Sequence, residues 1–254
     1  MQVLTYVPPG ESIARPDRCA VFSLSPPYIL ATVAGVGGAE TSLIQDTIPG
    51  IDGAYVYTTR TESREVTATI YVKGDTRQGM YEKRFALIRK LAPSKEPGTL
   101  YYQNDHIHVR IAAYPANAAE FAMRINNWNS AQLTFRCPYP YWEAVDEVPP
   151  SYMAYIDGGF EWPLEFAPGN DHLIEFASRS NHCTVQNSGS VPTPVRLTIT
   201  GPANNPAVLN ITTGETIRVK KTLDEGETLV IYTKPGAKSV TLTDADGLVT
   251  NAFA

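Results

Sequence analysis

Two histidines, His106 and His108, stand two positions apart in a segment where polar and apolar residues alternate. On a β-strand that spacing projects both imidazoles from one face, and such a pair can supply two ligands to a zinc ion. A third ligand is the difficulty. His172 and His182 lie far along the chain, and no His, Cys or carboxylate cluster has ligand spacing, so the pair reads as part of a solvated polar face. The glycines of Ala34-Gly35-Val36-Gly37-Gly38 have the composition of a phosphate cradle, but no strand-to-helix context or following lysine accompanies them. They read as a flexible turn. Asp244-Ala245-Asp246-Gly247 lacks the third oxygen position and the distal glutamate of a calcium loop, and is more simply a hairpin turn. Asn210-Ile211-Thr212 has the form of a glycosylation acceptor, which means nothing without export. There is no Gly-x-Ser-x-Gly elbow, and none of the histidines is marked as a base. Carboxylate pairs able to hydrolyse glycosides are set in space, so a hydrolase would require a convergent pocket that spacing does not reveal. The residues therefore point to no catalytic, cofactor-binding or metal-ligating site, and to a protein that is not an enzyme.

The elements around these residues are those of a mostly-β protein. A chain of 254 residues with 43% hydrophobic and 19% charged residues can bury a real core and is of a size for two domains. Twenty prolines and eighteen glycines punctuate short runs rich in Val, Ile, Thr and Tyr. The net charge of -5 argues against a broad basic face that grips nucleic acid or anionic lipid. Cys19, Cys137 and Cys183 lie far apart and are odd in number, as reduced thiols of a cytosolic fold would be. The amino terminus has no basic segment followed by an apolar run, and the longest weakly polar run, Tyr28 to Ala39, is far short of the roughly 20 residues of a membrane span. A soluble protein, made and assembled in a cytoplasm, is expected.

From Glu65 to Lys73, Val66, Ala68, Ile70 and Val72 alternate with polar residues and predict a strand with one buried face. Asp75 or Thr76 can cap a helix over about 77–91, whose stripe would be Tyr81, Phe85, Ile88 and Leu91 and whose outer face would carry Glu82, Lys83, Arg84, Arg89 and Lys90. Pro93 limits that helix. Thr99 to Gln103 and His106 to Tyr114 predict a hairpin joined by Asn104-Asp105, with Ile107, Val109 and Ile111 facing in. Ala131 to Cys137 predicts a further strand with Leu133 and Phe135 on one side, ended by Pro138 and Pro140. Val66, Ile70, Phe85, Ile88 and Phe135 are thus expected to hold the first scaffold together. Periodicity then fades among Pro149-Pro150, Gly158-Gly159 and Pro168-Gly169, the best place for a boundary. Beyond it, strands at 195–200, 208–212, 216–220, 228–233 and 239–243, separated by Gly-Pro, Thr-Gly, Glu-Gly and Pro-Gly turns, predict a second sandwich without a helix.

The order of these segments is more specific than any of them. Ile48-Pro49-Gly50-Ile51-Asp52-Gly53-Ala54, then Tyr81, Lys83-Arg84-Phe85 and Leu87, then Gly98-x-Leu100-Tyr101-Tyr102, Phe135-Arg136-Cys137-Pro138 and Pro140-Tyr141-Trp142 follow at family-like spacings. The second half adds the run from Asn187-Ser188-Gly189 through Pro194-Val195, then Ile199-Thr200-Gly201, Asn205-Pro206, the run from Asn210 to Glu215, and Gly226-Glu227-Thr228-Leu229. This arrangement, over roughly residues 40–250, resembles the distal tail proteins of long-tailed siphophages, often called Dit. The resemblance implies two β-sandwich domains: a ring-forming sandwich with one packed helix over 1–145, a connector over 146–165, and a galectin-like or carbohydrate-module-like jelly roll over 166–254. It implies a homohexameric ring at the distal end of the tail tube, joining the tube protein to adsorption or receptor-binding proteins. DNA would pass through its channel without being specifically bound, and no membrane would be involved. The location implied is the virion tail, assembled in the host bacterial cytoplasm. Relatives commonly add strands after the equivalent of Asn251, so the resemblance implies either an incomplete final sheet or a chain shortened after Ala254. The alternative is a carbohydrate-binding module for host cell-wall recognition, whose candidate sugar contacts are Trp162 and Tyr232.

Overall fold

The computed structural model describes the chain except residues 51, 118, 123, 147–148, 154, 158–177, 181 and 253–254, with backbone alone for 155–157 and 178–180. The chain divides into two units, Met1–Pro149 and Pro150–Ala254. It is mostly β, with one α-helix among the described residues.

The first unit contains β1 (Val3–Val7), β2 (Ala20–Phe22), β3 (Tyr28–Ala34), β4 (Thr41–Asp46), β5 (Tyr55–Thr61), β6 (Arg64–Lys73), α1 (Arg77–Lys90), β7 (Gly98–Gln103), β8 (His108–Pro115), β9 (Glu120–Phe121), β10 (Trp128–Cys137) and β11 (Glu143–Ala144). Its main sheet runs β2-β1-β7-β8-β10-β6-β3, with β9 beside β10 and β11 beside β8. The two ends of this path meet, since Ser23 N donates to Tyr28 O at 3.2 Å and Leu30 N donates to Ser23 O at 2.7 Å. The sheet thereby closes on an apolar interior.

Strand β6 behaves as its alternation requires. Val66, Ala68, Ile70 and Val72 are buried and pair along β10 with a strand whose Ala131, Leu133, Phe135 and Cys137 face the same core. Strand β1 is a finding the sequence did not announce. Leu4, Thr5, Tyr6 and Val7 are all buried, so β1 is covered on both faces and shows no period-2 pattern. The Tyr6 ring packs against Phe135 with centroids 5.3 Å apart.

Three expectations need correction. The β7–β8 link is longer than two residues, because Gln103 pairs with His108 and Asn104 N donates to Ile107 O at 2.9 Å. The Asn104 side chain accepts from the amides of His106 and Ile107, both at 2.8 Å, a local turn that outcompetes extension of the strand. Ile107 is therefore exposed, whereas Val109 packs on the core and Ile111 is buried. The helix, capped by Thr76 with Gly79 N donating to its Oγ1 at 3.0 Å, is also rotated from expectation. Met80, Leu87 and Leu91 are its buried residues, while Phe85 is 63% and Ile88 39% exposed. Phe85 lies about 200° around the helix from Leu87, so one face cannot bury both. Finally, the charges do not all face outward. Lys90 donates to Cys19 O at 2.6 Å, and the Arg84 guanidinium lies 4.0 Å from the Phe121 ring centroid.

The second unit contains β12 (Tyr155–Asp157), β13 (Ser178–Ser180), β14 (Arg196–Thr200), β15 (Ala203–Asn204), β16 (Ala207–Leu209), β17 (Thr216–Arg218), β18 (Thr222–Leu223), β19 (Thr228–Tyr232), β20 (Ser239–Thr243) and β21 (Val249–Asn251). An antiparallel sheet β14-β19-β20-β21 is accompanied by the pairs β12-β13, β15-β18 and β16-β17. Leu223, Leu229, Ile231 and Leu242 form its core, with Leu197, Ile199, Ile217 and Val240 packed against them. The turns follow from side-chain chemistry. Asn210 Oδ1 accepts from Thr212 N at 3.0 Å between β16 and β17, and Asp244 Oδ1 accepts from Leu248 N at 2.8 Å between β20 and β21.

Candidate assembly surface

The residues able to do chemistry are kept apart by this fold. His106 stands in the β7–β8 turn and only His108 enters a strand, where its ring lies 6.3 Å from that of Tyr101. The shared face expected for the two imidazoles does not form, because the Asn104 turn removes His106 from the ladder. No group of three or more His, Cys, Asp or Glu side chains able to hold a metal occurs among the described residues. Cys19 and Cys137 are buried free thiols, and burial pushes the Cys137 thiol up to about 11. Tyr232, on β19, is half-buried, with the Arg196 guanidinium 5.5 Å from its ring centroid, so one ring face is already covered. Trp162 and His172 lie outside the described residues.

What the first unit does present is exposed apolar surface, concentrated on one element. Strands β4 and β5 form a two-stranded sheet that belongs to neither half of the main one. Leu43, Ile44, Tyr55, Val56 and Tyr57 project from it, each between 43% and 61% exposed, and Ile48 in the connecting loop is 53% exposed. Leu43 and Ile44 are sequence neighbours on one strand and so point to opposite faces; the ribbon is apolar on both sides. A register shift between Ile44 and Gln45 bends it, and the Tyr55 and Tyr57 rings meet edge to face at 5.1 Å. A two-stranded ribbon with no cover is marginal in water, and clustered apolar exposure of this kind marks an interaction surface. Sequence reasoning missed this ribbon because its apolar residues do not alternate; the Pro49-Gly50 turn between two β-forming runs was the available signal.

The root of the ribbon is held firmly. Glu62 N donates to Glu40 O at 2.9 Å, and Ser42 Oγ donates to Glu62 Oε1 at 2.7 Å. Arg64, only 7% exposed, donates from Nε to Pro140 O at 2.7 Å and from Nη1 to Gly35 O at 2.6 Å and Gly37 O at 2.8 Å. The glycine segment is thus a braced turn rather than a flexible one. At Gly35 the backbone has φ +85°, and a Cβ there would stand 2.1 Å from Glu65 O, so only glycine fits. A second apolar patch lies on α1, where the exposed Phe85 and the partly buried Tyr81, which also packs against the core, line a shallow depression with Arg77, Gln78 and Glu82.

Comparison with known proteins gives this geometry its context. Residues 18–137 match the phage tail protein RIFT-related domain, and residues 188–253 match the siphovirus-type tail component, C-terminal domain. None of the curated proteins matches the chain. Among solved structures, SPP1 Dit, described as a paradigm of the hub adsorption apparatus in phages infecting Gram-positive bacteria, aligns over 98% of this chain and 84% of its own. The identity is 11% and the TM-score 0.55. Two structures of the phage p2 baseplate in its activated conformation, with calcium and with strontium, align over 99% of this chain and 87% of theirs. Their identities are 14% and 15% and their TM-scores 0.49 and 0.48. With both tail-domain families matched in order along one chain, and the mostly-β fold shared with SPP1 Dit, the chain belongs to the siphophage distal tail proteins, structural components of the phage tail.

Proposed function

We propose that this protein is the hub at the distal end of a siphophage tail tube, where six copies close into a ring that joins the tube protein to the adsorption apparatus. The observation that carries this reading is the β4–β5 ribbon, apolar and exposed on both faces among the described residues. A closed ring is built from two different patches that meet head to tail. The first unit offers two: the ribbon with Leu43, Tyr55 and Tyr57, and the outer face of α1 with Phe85 and Ile88. The role is structural, with no chemistry assigned to any residue. The formal charge of -5 suits a channel that lets DNA pass without holding it, since binding draws on clustered Lys and Arg. Assembly takes place in the host bacterial cytoplasm, consistent with unpaired Cys19, Cys137 and Cys183.

The test is mass measurement by light scattering, with negative-stain imaging, on the full chain alone and with the tail tube protein. Six-fold rings are expected, and the double substitution Leu43→Ser/Tyr57→Ser reduces the assembly to monomer without lowering the melting temperature, since both side chains are exposed already. A monomer under every condition, or rings that survive the double substitution, would overturn this reading.

A further inference from the structure

A ribbon whose faces are exposed has its direction set at the root, where the bonds of Glu40, Ser42 and Glu62 join its two strands and the buried Arg64 ties the adjoining segments to the rest of the unit. Gly35 and Gly37 follow β3 in the segment that leads into β4, and Arg64 opens β6 three residues after β5, so the guanidinium links the segment entering the ribbon to the strand that leaves it. Its Nε bond to Pro140 O ties both ends to the segment that follows β10. We propose that Arg64 is the positioning residue of the assembly ribbon, fixing the angle at which β4 and β5 leave the sheet. The proposal rests on the reading of that ribbon as the surface through which copies meet.

Chemistry favours arginine for this task. The guanidinium is a rigid planar fork, so bonds made by Nε and Nη1 to different segments fix their relative orientation as well as their distance. A lysine ammonium is a point charge on a flexible stem and cannot impose that angle. The charge is buried without a carboxylate partner among the described residues; its compensation comes from carbonyl oxygens, with Gly38 O a longer contact at 3.4 Å. The neighbouring Cys137 thiol is neutral at ordinary pH, since burial holds its proton. Four carbonyl oxygens from two separate segments thus converge on one buried cation. The positive φ at Gly35 and its close approach to Glu65 O aim that carbonyl inward. In a head-to-tail assembly the angle matters, because a rotation that fails to close gives an open filament instead of a ring.

The experiment is a spin-label distance measurement on the full chain, between Thr59→Cys on the ribbon and Gln132→Cys on β10, both exposed positions, in a Cys183→Ser background. It is made with Arg64 present and in Arg64→Lys and Arg64→Gln, alongside hydrogen exchange at the Glu62 amide. The wild type is expected to give one narrow distance. Both variants broaden it, and Glu62 exchanges faster by about ten- to hundredfold, the loss of one hydrogen bond to a charged group. The far-UV spectrum and the protection of β6 and β10 stay as they were. A distribution as narrow in a folded Arg64→Gln protein as in the wild type would overturn the proposal. So would failure of both variants to fold, which would make Arg64 a residue of the sheet rather than of the ribbon. The distance needs no ring, so a protein that never assembles refutes the hub reading while this result still stands or falls separately.

Discussion

At the scale of single residues, the fold's polar interior is narrow and specific. Tyr6 and Tyr28 are held by burial at about 12, above the usual 10.0, and Cys137 at about 11, above 9.0. A raised value means that the folded state keeps its proton longer than the unfolded chain does. The associated stability is fully present below the unfolded value and is lost as pH rises through the folded one. The urea midpoint is therefore expected to hold steady up to about pH 9 and to fall between about 9 and 11, before either tyrosine contributes its full share. Cys137→Ala should flatten that fall, leaving the parts owed to Cys19, whose thiol burial also raises, and to the first portion of the tyrosine loss. An unchanged slope in Cys137→Ala would assign the alkaline loss elsewhere. The side of Cys137 was legible from the alternation of its strand, whereas the bracing by Arg64 was not. That bracing depends on segments from separate parts of the chain, Pro140 and Gly35, arriving at one point.

At the scale of elements, strand β6 and helix α1 show what a local pattern can and cannot give. The strand was legible because period-2 alternation leaves one solution: the apolar set faces the core or the strand is inverted. The existence and limits of the helix were legible from Thr76 and Pro93. Its rotation was not, because Tyr81, Phe85, Ile88 and Leu91 form one plausible stripe while Met80, Leu87 and Leu91 form another, and only the shape of the sheet beneath selects between them. The selection can be measured by chemical denaturation. Leu87→Ala should cost about 2–5 kcal/mol, as a buried leucine does, whereas Phe85→Ala should stay within about 0.5 kcal/mol. Equal losses at the two positions would contradict the rotation described. The β4–β5 ribbon is the complementary case. Its residues favour strands, yet no face of it is buried among the described residues, so no periodicity marks it.

At the scale of the whole molecule, the two units hold separate cores. The first is built around Leu4, Phe22, Val66, Ile70, Leu133 and Phe135; the second has only Leu223, Leu229, Ile231 and Leu242 fully buried among the described residues. Two calorimetric transitions are expected, the lower belonging to the second unit, because less buried apolar surface gives less stability. Leu229→Ala should lower that transition and leave the higher one in place; a single transition that moves as one would show the units to be energetically coupled.

The sequence by itself determined that the protein is mostly β, that its strands and turns fall in the order of a distal tail protein, and that its histidines and acids carry no ligand spacing. These are properties of neighbouring residues, and alternation, capping and turn chemistry act over a few positions. Tertiary structure decided which helix face is buried, that β1 sits covered on both sides, and that an uncovered ribbon is braced by Arg64. Those outcomes depend on which distant segments meet. A chain read in order contains the segments but not their meeting, because the free energy of packing belongs to contacts between them rather than to either one.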